Sequence, residues 1–145
     1  MEELFAYALL YSVGYDFWHL YSARLDKLFL ESPDNEEYLY LETLKSPTDA
    51  ALHLISVMSN ASFDADIFGR TLMKLIAEVY SHSDLPQFSR KMYFLWNSLP
   101  TALQDKEPFF TFCYAGDCLS YGDQTQCRRL FEDAIHHYDQ QANMT

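Results

Sequence analysis

Glycine and proline are scarce in this chain, four and five among 145 residues. So small a stock of turn formers excludes a turn-rich β sandwich or barrel. None of the four glycines stands in a Gly-x-Gly-x-x-Gly or Gly-x4-Gly-Lys arrangement, so no phosphate-cradling loop is encoded. Gly-x-Ser-x-Gly and His-Glu-x-x-His are missing too, which removes the hydrolase elbow and the zinc-protease helix. Basic residues are also few, ten against 21 acidic, for a formal net charge of −11. They stand singly or as the pairs Arg90-Lys91 and Arg128-Arg129, too thinly spread for a nucleic-acid-binding face. The carboxylate surplus repels phosphate backbones and anionic lipid heads, so neither nucleic acid nor membrane is an expected partner. The uncharged run from Leu4 to Tyr15 falls short of the ~20 residues of a spanning helix. It also has an acidic flank where a secretory leader carries a basic one. The three cysteines are odd in number and set among apolar neighbours, which points to a reducing, cytoplasmic location.

What is present is apolar and aromatic: 49% hydrophobic residues, with aromatics at 17%. A chain of this length hides roughly 70% of the surface it exposes when unfolded, so it needs no metal or disulfide staple. An all-α fold is expected, one helical domain over 1–140 with a frayed tail at 141–145. Leu4, Ala8, Tyr11, Tyr15, Trp18, Leu25 and Leu28 recur at steps of three, four or seven, predicting a long first helix bent at Gly14. Ser32-Pro33-Asp34 and Ser46-Pro47-Thr48 each read as a helix start, serine capping and proline in the first turn, followed by helices of about three turns. Asp64 or Ser62 caps the next helix, which carries Phe68, Leu72, Leu75 and Ile76 inward. Pro86 opens another that ends at Pro100, and Pro108 a further one through Phe112 and Cys113. The last runs from Asp123 to about Gln140. Six or seven helices with short links imply a bundle or a short stack of antiparallel hairpins. With Cys127, Phe131 and Ala134 in small-large-small order, the closing hairpin resembles half of a tetratricopeptide-type unit. No 34-residue period recurs, which argues against a repeat array.

Residues 112–127, FCYAGDCLSYGDQTQC, hold all three cysteines. Cys113, Cys118 and Cys127 do not have the paired Cys-x2-4-Cys spacing of structural zinc or the Cys-x-x-Cys of a redox pair. The stretch reads instead as a corner: Gly122 ends one helix in the left-handed conformation, and Asp123 with Gln126 starts the next. Gly116 lies on the packed face, where two helices approach. Cys113 and Cys127 become core fillers, leaving Cys118 as the one candidate reactive thiol. The acid and imidazole pairs Asp16/His19, Asp49/His53, Glu132/His136 and Asp133/His137 share helix faces but do not reproduce the doubled Glu-x-x-His of di-iron bundles. No metal or cofactor is assigned.

From Glu31 to Asp49 the chain carries six carboxylates against the single Lys45, interleaved with tyrosines. If Tyr38 points to the core, Tyr40 points away from it. An exposed tyrosine amid charge is a typical interface anchor, so Glu31, Asp34, Glu36, Glu37, Tyr40 and Glu42 form the expected docking surface. The function expected is non-enzymatic binding of a basic protein, most concretely as an immunity or antitoxin-like inhibitor of a cationic toxin such as a nuclease. Two alternatives stand beside it: a helical-bundle metal-dependent enzyme using the carboxylate/His pairs, and a helical-hairpin adaptor for a peptide. Twenty-four aromatics also make self-association through an apolar patch an option.

Overall fold

The computed structural model describes residues 1–59 and 61–139. All regular structure among them is helical, as the periodicity predicts, but it is divided into ten helices rather than six or seven, seven of eight or more residues and three of only four. The tail at 141–145 lies outside the described residues, and the last helix, expected to reach about Gln140, stops at Ile135, where His136 caps it. The chain divides into two compact units, Met1–Phe68 and Gly69–Thr145.

In the first unit the predicted long helix is two helices, α1 (Glu2–Ser12) and α2 (Trp18–Glu31). The chain breaks at Gly14 rather than bending there. Gly14 takes φ 99°, and the Tyr15 and Gly14 amides donate back to the Leu10 and Tyr11 carbonyls, the paired closure that a left-handed residue permits at a helix end. Periodicity continues through the break because both helices turn apolar faces to one core, so spacing alone hides it. Asp16 Oδ1 accepts from the Trp18 amide at 2.9 Å and helps start α2.

The start of α3 (Glu36–Thr43) also departs from expectation. Ser32 closes α2, with its amide on the Leu28 carbonyl, and Pro33 and Asp34 form the turn. Asn35 is the cap, its side chain accepting from the Tyr38 amide. Asp34 therefore precedes the helix, and α3 has only eight residues. The second serine-proline start holds: Ser46 caps α4 (Pro47–Met58) by accepting from the Asp49 amide. Tyr21, Leu25, Leu41, Ala50 and Leu54 join Leu4 and Ala8 in the buried cluster that α1 to α4 enclose. Each such leucine contributes about 1.5–3 kcal/mol by leaving water. Phe5 stacks on Phe68 at 4.9 Å at the start of α5 (Ala65–Tyr80), whose cap is Asp64, accepting from the Asp66 and Ile67 amides.

The second unit takes up the rest of α5, then α6 (Leu85–Asn97), α7 (Thr101–Gln104), α8 (Thr111–Tyr114), α9 (Asp117–Ser120) and α10 (Gln124–Ile135). Asp84 caps α6, one residue before the helix and two before Pro86. Pro100 does not end α6, which stops at Asn97, but leads into α7. The Trp96 indole N–H donates to the Gln104 carbonyl, and the Gln104 amide returns a bond to the Trp96 carbonyl, fastening that link. The helix expected after Pro108 begins only at Thr111 and is split in two at Ala115 and Gly116. Phe88, Phe112 and Phe131 meet in the core, with Phe88 edge-on to Phe131 at 4.9 Å.

The corner at residues 112–127 is as predicted in its essentials. Gly122 takes φ 75°, the Gly122 and Asp123 amides return to Leu119 and Cys118, and Asp123 caps α10 by accepting from the Gln126 amide. Gly116 does mark a close approach, but to α6. A methyl placed there meets Ser89 Oγ at 2.1 Å and Ser89 Cβ at 3.5 Å. Gly116→Ala is expected to lower stability by about 1–3 kcal/mol. Adding Ser89→Ala removes the clashing oxygen, so denaturant melts of the single and double variants should show most of the loss recovered.

Candidate functional site

The carboxylate surplus is concentrated in one unit. Residues 1–68 hold twelve acidic and three basic residues, net −9, which leaves −2 for the second unit. Of those three cations, Arg24 is engaged by Glu3, Nε to Oε2 at 2.9 Å. The first unit thus presents an acidic surface with little internal compensation.

The six residues expected to dock a partner fall into three places. Glu31 ends α2, Asp34 lies in the turn and Glu36 begins α3, so these three make an exposed acidic corner. Glu37 and Tyr40 are instead tied to α4. His53 Nε2 lies 2.5 Å from Glu37 Oε1, and the Tyr40 ring sits 4.7 Å from the imidazole. Tyr40 keeps 48% of its surface exposed and points away from the core, where Tyr38 packs, as expected. Glu42, on the other side of α3, turns toward Asp26 of α2.

The approach of Asp26 and Glu42 perturbs the electrostatics of the unit. Burial, reinforced by hydrogen bonding and repulsion from Asp26, raises the Glu42 carboxyl above its ordinary value. Nearby, burial and the fields of Glu42 and Glu37 push the Tyr21 phenol up to about 12. The Tyr21 side chain is almost wholly buried, stacked on Trp18 at 4.2 Å, and its hydroxyl has no hydrogen-bond partner among the described residues. Asp26, Glu42, Phe29 and Leu30 line a surface depression of about 300 Å³.

Sequence reasoning missed the apolar part of this surface. Leu30, Leu39 and Leu52 are among the exposed large apolar residues. Leu39 was detectable, since a helix that turns Tyr38 and Leu41 inward at steps of three must turn the residue between Tyr38 and Tyr40 outward.

The acid and imidazole pairs do other work. Asp16 serves the start of α2, and His53 pairs with Glu37 rather than Asp49. Glu132 accepts from the Tyr80 hydroxyl, and His136 pairs with Asp139. No group of three or more His, Cys, Asp or Glu among the described residues is arranged to hold a metal ion.

In the second unit, Cys127 is fully buried and Cys118 partly exposed. Burial, with the Cys118 charge adding to it, pushes the Cys127 thiol up to about 11. Cys113 is not the sealed core residue expected from its spacing. It is partly exposed and lines a depression of about 430 Å³ with Ser89, Arg90, Tyr93 and Asp117. Its thiol is raised by burial and by Asp117 and Asp105, the opposite of nucleophile activation.

No protein-family model, curated protein or solved structure matches this chain. No helix among the described residues is long and apolar enough to cross a membrane.

Two outcomes follow. Because the folded Glu42 binds its proton more tightly than the unfolded one, its contribution favours folding below the ordinary carboxylate value and is lost as pH rises through the raised one. Glu42→Gln should therefore melt higher than the parent at pH 7, and the gap should close near about pH 4. Alkylation by iodoacetamide should modify Cys118 and Cys113 at least about tenfold faster than Cys127, because attack needs an accessible thiolate. Equal rates at all three would disprove the assigned burial.

Proposed function

We propose that the chain is a non-enzymatic interaction protein whose acidic first unit binds a basic protein. In its most concrete form it is an inhibitor of the immunity or antitoxin kind, covering the cationic working surface of a toxin such as a nuclease. The observation that carries this reading is the division of charge, net −9 in residues 1–68 against −2 in the remainder. A general solubility requirement gives no reason to place the surplus in one half.

Exposed apolar side chains support it further. Leu39 and Tyr40 stand on α3 between Glu36, Glu37 and Glu42, the mixture of aromatic or aliphatic anchor and charged surround that interfaces use. The Glu37–His53 contact and the Tyr40 ring over His53 hold these side chains in place before any partner arrives, which reduces the ordering cost of binding.

Affinity capture with the full chain, compared with a Glu31→Gln/Asp34→Asn/Glu36→Gln/Tyr40→Ala variant, tests the proposal. Basic proteins should be retained by the parent, lost from the variant and released by salt. Recovery of neutral or acidic proteins alone, or equal capture by the variant, would refute it.

A further inference from the structure

We infer that the depression between α6 and the α8–α9 segment of the second unit binds an α-amino acid with an apolar side chain. Its carboxylate is held by Arg90 and the Ser89 hydroxyl, and its ammonium by Asp117. The site is separate from the acidic docking surface and does not depend on it.

A buried hydroxyl forms part of its lining. Ser89 is only 8% exposed, yet it borders the depression with its Oγ turned toward Gly116, so close that a methyl on that glycine would lie 2.1 Å away. A serine inside a helix ordinarily satisfies its hydroxyl on the carbonyl four residues back, as Ser98 does on Phe94. The Ser89 hydroxyl makes no such bond, and none to any other group among the described residues. It turns away from its own helix and toward the depression, a donor nine-tenths withdrawn from water and still unused.

The charges around it select the ligand. Arg90 on α6 and Asp117 at the start of α9 border the same depression, and among the described residues neither is ion-paired with the other or with any third group. A simple anion would be opposed by Asp117 and a simple cation by Arg90, whereas a neutral molecule would leave both charges unanswered. A zwitterion answers both. The planar guanidinium fork matches a carboxylate, with the serine hydroxyl as an additional donor, and the aspartate accepts from an ammonium. Tyr93, 44% exposed, and Leu119 supply apolar surface for the ligand's side chain. The depression, about 430 Å³, falls within the roughly 300–1,000 Å³ of small-molecule sites.

The test is a titration of the isotope-labelled full chain with L-phenylalanine and L-leucine, read by amide chemical shifts. Saturable shifts centred on Ser89, Arg90 and Asp117 are expected. N-acetylphenylalanine, which lacks the ammonium, and phenylalaninamide, which lacks the carboxylate, should each bind about tenfold more weakly than phenylalanine. Arg90→Gln and Asp117→Asn should weaken phenylalanine to the same extent, and Ser89→Ala about three- to fivefold. Arg90 and Asp117 are exposed, so their variants should melt with the parent, and the melt of Ser89→Ala separates lost binding from lost folding. Saturating phenylalanine should also slow alkylation of Cys113, which borders the depression, and leave Cys118 unchanged. Absence of saturable shifts, shifts centred elsewhere or unslowed alkylation of Cys113 overturns the site. Equal affinity for phenylalanine and N-acetylphenylalanine, with Asp117→Asn binding like the parent, overturns the zwitterion assignment.

Discussion

The first unit depends on one backbone conformation. Gly14 adopts a positive φ that costs a residue with a Cβ roughly 1–2 kcal/mol, and this lets the first helix close on itself and the chain turn away. Had the helix continued as its apolar periodicity suggests, Asp16 would be one more helical residue and Trp18 would lie on the axis of α1. With the break, α2 becomes a separate element that packs on α1 and α3, and it brings Asp26, Phe29 and Leu30 alongside Glu42. The acidic hollow exists because a single residue without a side chain ends a helix early.

Electrostatics then act against the packing. A helical unit this small gains its stability from a modest cluster of leucines, alanines and aromatics, and a net charge of −9 subtracts from that through self-repulsion. Some of the repulsion is relieved internally, as at Arg24 with Glu3 and His53 with Glu37. Elsewhere it is left standing, most plainly where Glu42 holds its proton more tightly because of partial burial and, after it, Asp26. Retained cost of this kind is characteristic of surfaces shaped by something other than folding.

Much of the fold was legible because capping chemistry is local. Ser46, Asp64 and Asp123 each accept an amide two or three residues on, and each can be recognised from its neighbours alone. The failures occurred where two local signals competed. Ser32 and Asn35 are both good caps, and the choice between them is decided by where α2 runs out of carbonyls to satisfy, which is a tertiary matter. The long helix read across Gly14 failed for a related reason, since two helices facing one core preserve a common period. Of the docking residues, outward placement of Tyr40 followed from helical geometry. The pairing of Glu42 with Asp26, sixteen positions earlier, depends on how α2 and α3 lie together, and no spacing rule reaches that far. Cys113 was misjudged because spacing identifies the face a residue occupies but not how far the neighbouring helix covers it.

The placement of the two tryptophans has a practical consequence. Each compact unit holds one: Trp18 lies flat against the Tyr21 ring in the first, and Trp96 donates its indole N–H to the Gln104 carbonyl in the second. Stacking on a phenol and hydrogen bonding to a carbonyl give the two indoles different optical surroundings. The chain therefore carries a separate built-in fluorophore for each half, and replacing either tryptophan with phenylalanine leaves a single emitter that follows one unit without a label.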